Sequence, residues 1–161
     1  MWHPIYRGDE EKLESVQHRM SRLVPELRGM EYIDRLKKLN LPTLYYRRAR
    51  GDMIECFKYL TGIYAVGGVP LPRDTKSNTR GHSFKLLKPY VKTSIRQNFF
   101  SNRVVNAWNS LPEEVVTAST LNQFKNRLDR LWSEYKYLES SDWFRTPPKL
   151  TLRATTNQSI V

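Results

Sequence analysis

The stretch Arg96-Gln97-Asn98-Phe99-Phe100-Ser101-Asn102-Arg103-Val104-Val105-Asn106-Ala107-Trp108-Asn109-Ser110-Leu111-Pro112 decides the fold. Phe100, Val104, Ala107, Trp108 and Leu111 recur at i, i+4, i+7, i+8 and i+11, which is one apolar stripe along a helix. Pro112 stops that helix, because it lacks the amide proton a further turn needs. Shortly beyond, Thr120 and Gln123 make a capping box for a last helix. Its apolar face carries Leu121, Phe124, Leu128, Leu131, Trp132 and Tyr135. Two strong stripes joined by a short proline-containing link pack on each other. Phe100, Val104, Trp108, Phe124, Leu128 and Trp132 are therefore expected in one core.

Working outward, Asp9 reads as the N-cap of a first helix with Glu10 and Glu11 in its first turn, where the helix dipole favours anions. Leu13, Val16, Met20 and Leu23 follow at helical spacing, and Pro25 closes the segment. A short second helix carries Tyr32, Ile33, Leu36 and Leu39 and stops before Pro42. Thr43 caps a longer third helix with Tyr46, Ala49, Met53, Cys56, Phe57 and Leu60 on one face, and Gly62 ends it. Thr61 to Phe84 is rich in Gly and Pro and reads as a long irregular connection, functional or mobile. Lys85 to Lys92 reads as one short extended segment, with Phe84, Leu86 and Lys88 opposing Lys85 and Leu87, and Pro89 keeps it short or peripheral. The expected fold is mainly α, a compact domain of about five helices over residues 1–138. The polar sequence over 139–161 reads as a disordered tail.

The chain has 161 residues and a formal net charge of +11. Seven Lys or Arg (Lys76, Arg80, Lys85, Lys88, Lys92, Arg96 and Arg103) and no Asp or Glu lie between Thr75 and Pro112. A one-signed block of this kind suits a polyanion, most often a nucleic-acid backbone. Arg47, Arg48 and Arg50 crowd one turn of the third helix. They read either as phosphate contacts or as a solvated face partly neutralised by Asp52 and Glu55. Thr79-Arg80-Gly81-His82-Ser83 is polar, and Gly81 permits a positive φ and close backbone approach to a ligand. The candidate nucleic-acid contacts are thus Arg80, His82, Lys85, Lys88, Lys92, Arg96 and Arg103, with Arg47, Arg48 and Arg50. Trp108 reads as core, and Asn106 and Asn109 as bonding to local backbone.

Other chemistries lack their residues. Ser83 has a histidine beside it but no orienting acid or oxyanion site in view, so nucleophilic catalysis is unsupported. His3, His18, His82 and Cys56 have no metal-ligand spacing, and no metal or other cofactor is expected. The single Cys56 excludes an internal disulfide and fits a reducing compartment. No apolar run suits a membrane span and no secretory pattern is visible, so an intracellular site, nucleus or cytoplasm, is expected.

The pairing of Thr79-Arg80-Gly81-His82-Ser83 with Phe99-Phe100-Ser101-x-Arg103-Val104-Val105-Asn106-x-Trp108-Asn109-x-Leu111-Pro112 resembles the C-terminal region of reverse transcriptases from non-LTR retrotransposons, the jockey-like and chicken-repeat-like LINE elements. Upstream, Trp2-His3-Pro4, Leu13-Glu14-Ser15-Val16-Gln17, Tyr32-Ile33-Asp34-Arg35-Leu36-Lys37-Lys38-Leu39 and Leu41-Pro42-Thr43-Leu44 carry the same resemblance. So do Arg47-Arg48-Ala49-Arg50-Gly51-Asp52-Met53-Ile54-Glu55 and, downstream, Leu111-Pro112-Glu113-Glu114-Val115-Val116 and Phe124-Lys125-Asn126-Arg127-Leu128-Asp129. The similarity runs roughly from Trp2 to Trp132, in the family's order.

The resemblance implies an RNA-directed DNA polymerase whose palm, with paired aspartates holding divalent metals, lies upstream of the region seen here. This sequence has no Asp-Asp pair. The expectation is a non-catalytic module that grips template RNA, a hybrid or target DNA through backbone contacts. Two alternatives stay open: an interaction module that docks on a polymerase core or on itself, and a truncated retroelement relic. Oligomeric state is not legible.

Overall fold

The computed structural model describes residues 4, 6–64, 71–75, 81–140, 142–145 and 147. Among them the chain is mainly helical, with eight α-helices, five of at least seven residues. In chain order these are α1 (Arg7–Ser21), α2 (Tyr32–Lys38), α3 (Leu44–Leu60), α4 (Ser94–Gln97), α5 (Phe100–Asn109), α6 (Glu113–Val116), α7 (Leu121–Leu131) and α8 (Asp142–Arg145).

α3 is the spine, packing on α1, α5 and α7. Its start follows from Thr43, whose Oγ1 accepts the amide of Tyr46 and satisfies a donor left orphaned by helix geometry. Its end follows from Gly62, which takes a φ of 72°. Phe57 of α3 stacks on Phe124 of α7 with ring centroids 4.3 Å apart, and Trp108 of α5 lies 5.9 Å from the same ring. Val104, Trp108, Phe124, Leu128 and Trp132 are all buried in this cluster, with Phe100 packed against it. The expected core therefore forms. Thr120 caps α7 through the Gln123 amide, while Gln123 Oε1 reaches back to the amide and hydroxyl of Ser119.

Four sequence expectations are corrected. The single helix from Arg96 to Leu111 is broken: Thr93 caps α4, and α5 restarts after Phe99, whose ψ of 147° is extended. Pro112 does not merely stop α5 but serves as N-cap of α6. α1 turns its polar face inward: Glu10, Glu14 and Ser21 are buried, while Val16, Met20 and Leu23 are exposed. Glu14 explains the inversion, since its carboxylate accepts Tyr32 Oη at 2.6 Å and the amide of Leu44 at 2.9 Å. That ties α1 to the starts of α2 and α3.

The last correction concerns the domain boundary at 138. Trp143 and Phe144 of α8 are buried in the core, Trp143 stacking on Tyr135 at 4.8 Å and meeting Trp132 edge-on at 4.9 Å. The packed unit runs through Arg145. The tail expected beyond it lies, from 148 onward, outside the described residues. The expected extended segment is a single antiparallel bridge between Arg73 and Leu86, with Asp74 N donating to Lys85 O and Leu87 N to Pro72 O. No helix among the described residues is long and apolar enough to cross a membrane.

Candidate nucleic-acid interface

The segment from Gly81 to Leu87 is strapped onto α5 by side chains of the conspicuous motifs. His82 is buried, and its Nε2 donates to the Trp108 carbonyl at 3.0 Å while Nδ1 accepts the amide of Phe84 at 3.2 Å. Trp108 Nε1 in turn donates to the Phe84 carbonyl at 2.8 Å. Ser83 donates to Glu113 through both its amide, at 2.9 Å, and its hydroxyl, at 2.8 Å. Asn109 bonds both backbone groups of Leu86, at 2.8 and 2.9 Å, acting as a surrogate strand partner. Gly81 takes the positive φ expected of it, 132°, but its neighbour is Lys85, whose Cε would lie 2.6 Å from any added Cβ.

This arrangement corrects two sequence readings. His82 is not a ligand contact: both ring nitrogens are engaged within the fold, and burial pushes its pKa below the ordinary 6.5. Asn109 does not bond local backbone but a segment twenty-three residues away in sequence. Asn106 bonds through its side chain to no described residue and is exposed.

The cations separate into two kinds. Arg103 makes a bidentate pair with Asp52, both bonds 2.8 Å, and also donates to the Asn98 carbonyl. Asp52 is fully buried. Arg50 forks onto Asp129 of α7, at 2.5 and 2.8 Å, and the Tyr46 hydroxyl joins that carboxylate at 3.0 Å. Arg48 is half-buried over the Tyr45 ring, with the field of Glu10 and Glu14 opposing a desolvation that lowers its pKa. Arg47 is exposed beside a surface depression of about 570 Å³ that Arg50, Asp129 and Lys136 also line. The acids expected to neutralise the arginine turn act elsewhere: Asp52 holds Arg103, and Glu55 holds Lys58 and Tyr64.

Lys88, Lys92 and Arg96 are exposed, whereas Lys85 is half-buried. Arg80 lies outside the described residues, as does Lys76. Interleaved with the exposed cations are two exposed aromatics, Tyr90 at 88% and Phe99 at 48%, and the Arg96 guanidinium sits 5.2 Å from the Phe99 ring centroid. The sequence carries a signal for both rings. Tyr90 belongs to no apolar stripe, and Phe99 precedes the helical one.

Among the described residues no group of three or more His, Cys, Asp or Glu is placed to hold a metal ion. Compared with family models, with curated proteins and with solved structures, the chain matches none of them.

Proposed function

We propose that this chain is a non-catalytic nucleic-acid-binding module, of the kind found in the C-terminal region of a non-LTR retrotransposon reverse transcriptase. The observation that carries this reading is the segment from Lys88 to Phe99. It exposes Lys88, Lys92 and Arg96 together with Tyr90 and Phe99, and it contains no carboxylate. Cations that follow a phosphate backbone combined with aromatic faces for bases suit a single-stranded or partly opened nucleic acid. The resemblance in sequence, carried by nine motifs in order, supports the same class. RNA or DNA serves as ligand, because both carry the phosphates that these cations would contact.

Titration of labelled RNA and DNA strands against the whole chain at several salt concentrations tests the reading. Three phosphate contacts give a slope of log affinity on log salt of about −2 to −3. The double charge reversal Lys88→Glu and Lys92→Glu reduces that slope by about two contacts' worth and weakens all sequences alike. No binding at low salt overturns the proposal. Magnesium-dependent primer extension by the purified chain overturns its non-catalytic part.

A second reading draws on α1. Val16 and Met20 on α1, and Leu23 in the turn just beyond it, are each at least half exposed, apolar side chains that the fold leaves uncovered. Such a surface suits docking on a polymerase core or on a second copy. Association through it strengthens rather than weakens with added sulfate. Sedimentation of the wild-type chain and of Met20→Glu across salt concentrations separates the two readings.

A further inference from the structure

Next to the Lys88–Phe99 segment, a cavity of about 420 Å³ opens between that segment, the outer side of α5 and the end of α8. Its volume falls within the roughly 300–1,000 Å³ typical of small-molecule sites. The lining is rich in carboxamides, among them Gln97, Asn102 and Asn106. Asn102 donates one amide proton to the Arg96 carbonyl. The carboxamides of Gln97 and Asn106 hydrogen-bond to no described residue. Two arginines in the wall are already compensated, Arg103 by Asp52 and Arg145 by Glu10 at 3.1 Å. Lys88 is exposed at the same cavity and pairs with no carboxylate among the described residues. Tyr6, 70% exposed, completes the rim with an aromatic ring.

A carboxamide presents one donor beside one acceptor. So does the Watson–Crick edge of every base: an exocyclic N–H beside a ring nitrogen in adenine and cytosine, a ring N–H beside a carbonyl oxygen in guanine and uracil or thymine. A free Asn side chain can therefore pair with the Watson–Crick edge of any unpaired base, whereas in a duplex that edge is taken and only the major-groove edge of adenine offers a carboxamide two bonds. Stacking on a ring such as that of Tyr6 is equally tolerant of sequence. A cation at the mouth suits the attached phosphate.

We propose that this cavity takes one unpaired nucleotide of a bound strand, with its base against the Asn106 carboxamide and the Tyr6 ring and its phosphate on Lys88. The inference rests on the nucleic-acid reading above and adds a preference to it: the chain favours single strands over duplex without favouring one base.

The test compares a labelled single strand of mixed sequence with the duplex made from it, at one low salt concentration, by fluorescence anisotropy on the whole chain. The single strand is expected to bind about tenfold more tightly, within the range of one good bidentate base contact. Asn106→Leu, an exposed position on α5, is expected to bring the single strand down to the duplex level. Duplex affinity, the salt slope and circular dichroism stay unchanged. Tyr6→Ala lowers single-strand binding in the same selective way. A nucleoside monophosphate in excess removes the single-strand advantage, whereas inorganic phosphate at equal concentration does not.

Equal affinity for both forms, or an Asn106→Leu variant that keeps the preference, overturns the cavity's role while the phosphate-contact reading stands. Competition by inorganic phosphate as strong as by the nucleotide also overturns it, reducing the site to an anion contact at Lys88. Failure of both forms to bind overturns the underlying reading as well.

Discussion

Arg103 of α5 grips the fully buried carboxylate of Asp52 on α3 through two parallel bonds of 2.8 Å. The most conspicuous arginine of the basic block is therefore spent inside the protein, where it joins the two helices that carry the core. Removing one partner of a buried pair strands the other charge, at about 3–5 kcal/mol. Asp52→Ala is expected to lose stability in that range in urea unfolding. Asp52→Leu combined with Arg103→Met is expected to recover most of the loss, since no orphaned charge remains. The double variant is expected to leave the salt slope of nucleic-acid binding as it is in the wild type, because the Arg103 guanidinium is engaged by Asp52 and the Asn98 carbonyl.

His82 makes stability depend on pH in a defined direction. Burial lowers its pKa below 6.5, against the smaller upward pulls of the Trp108 carbonyl and Glu113, and Lys85 adds to the lowering. The folded state thus binds fewer protons than the unfolded one between the lowered value and 6.5. The neutral ring's contribution is complete above pH 6.5 and is lost as pH falls through the folded value. Urea unfolding of the wild type and of His82→Gln at pH 7.5 and pH 5 isolates this term. The stability difference between the two proteins shrinks at the lower pH, because only the wild type carries the imidazole whose folded-state pKa is lowered. A difference that does not change with pH contradicts the assignment.

What could be read from the sequence was what depends on near neighbours. Thr43 and Thr120 announced their caps because a hydroxyl reaches an amide three residues on. Trp108 announced its burial because its stripe repeats every three or four residues. The same logic misled at α1, where Val16, Met20 and Leu23 have the spacing of a buried face but Glu14 bonds Tyr32 and Leu44 and turns the helix around. A partner thirty residues away leaves no periodic trace. The Asp52–Arg103 and Arg50–Asp129 pairs were hidden for the same reason, so local acids were assigned to the wrong arginines. His82 and Ser83 looked like an exposed polar turn because their partners, Trp108 and Glu113, arrive from two other elements. The candidate interface was legible as charge but not as its aromatic component.

That component is testable separately. Tyr90 and Phe99 are exposed among cations, and the loss of one base-stacking ring costs about 1–3 kcal/mol. Tyr90→Ala and Phe99→Ala are each expected to weaken single-strand binding by about fivefold to a hundredfold. The salt slope is unchanged, since no charge is removed. A reduced slope for either variant assigns the ring to positioning a cation instead, Arg96 in the case of Phe99.

The boundary beyond Leu138 carries the remaining prediction. Trp143 closes an aromatic group with Tyr135 and Trp132, and Phe144 is 2% exposed against the same ring of Trp132. Only four residues of helix hold them, and α8 is too short to be stable without these contacts. Its packing energy therefore belongs to the domain rather than to the helix. Trp143→Ala is expected to cost about 3–5 kcal/mol, as for other large buried aromatics. Ending the chain after Leu138 costs at least as much, and it uncovers Trp132, whose fluorescence shifts to the red under native conditions. Truncation also removes Phe144 and Arg145 from the wall of the carboxamide-lined cavity. Any single-strand preference is then lost even in the fraction of molecules that stays folded. A truncated chain as stable as the full one places the end of the packed unit at Leu138 after all.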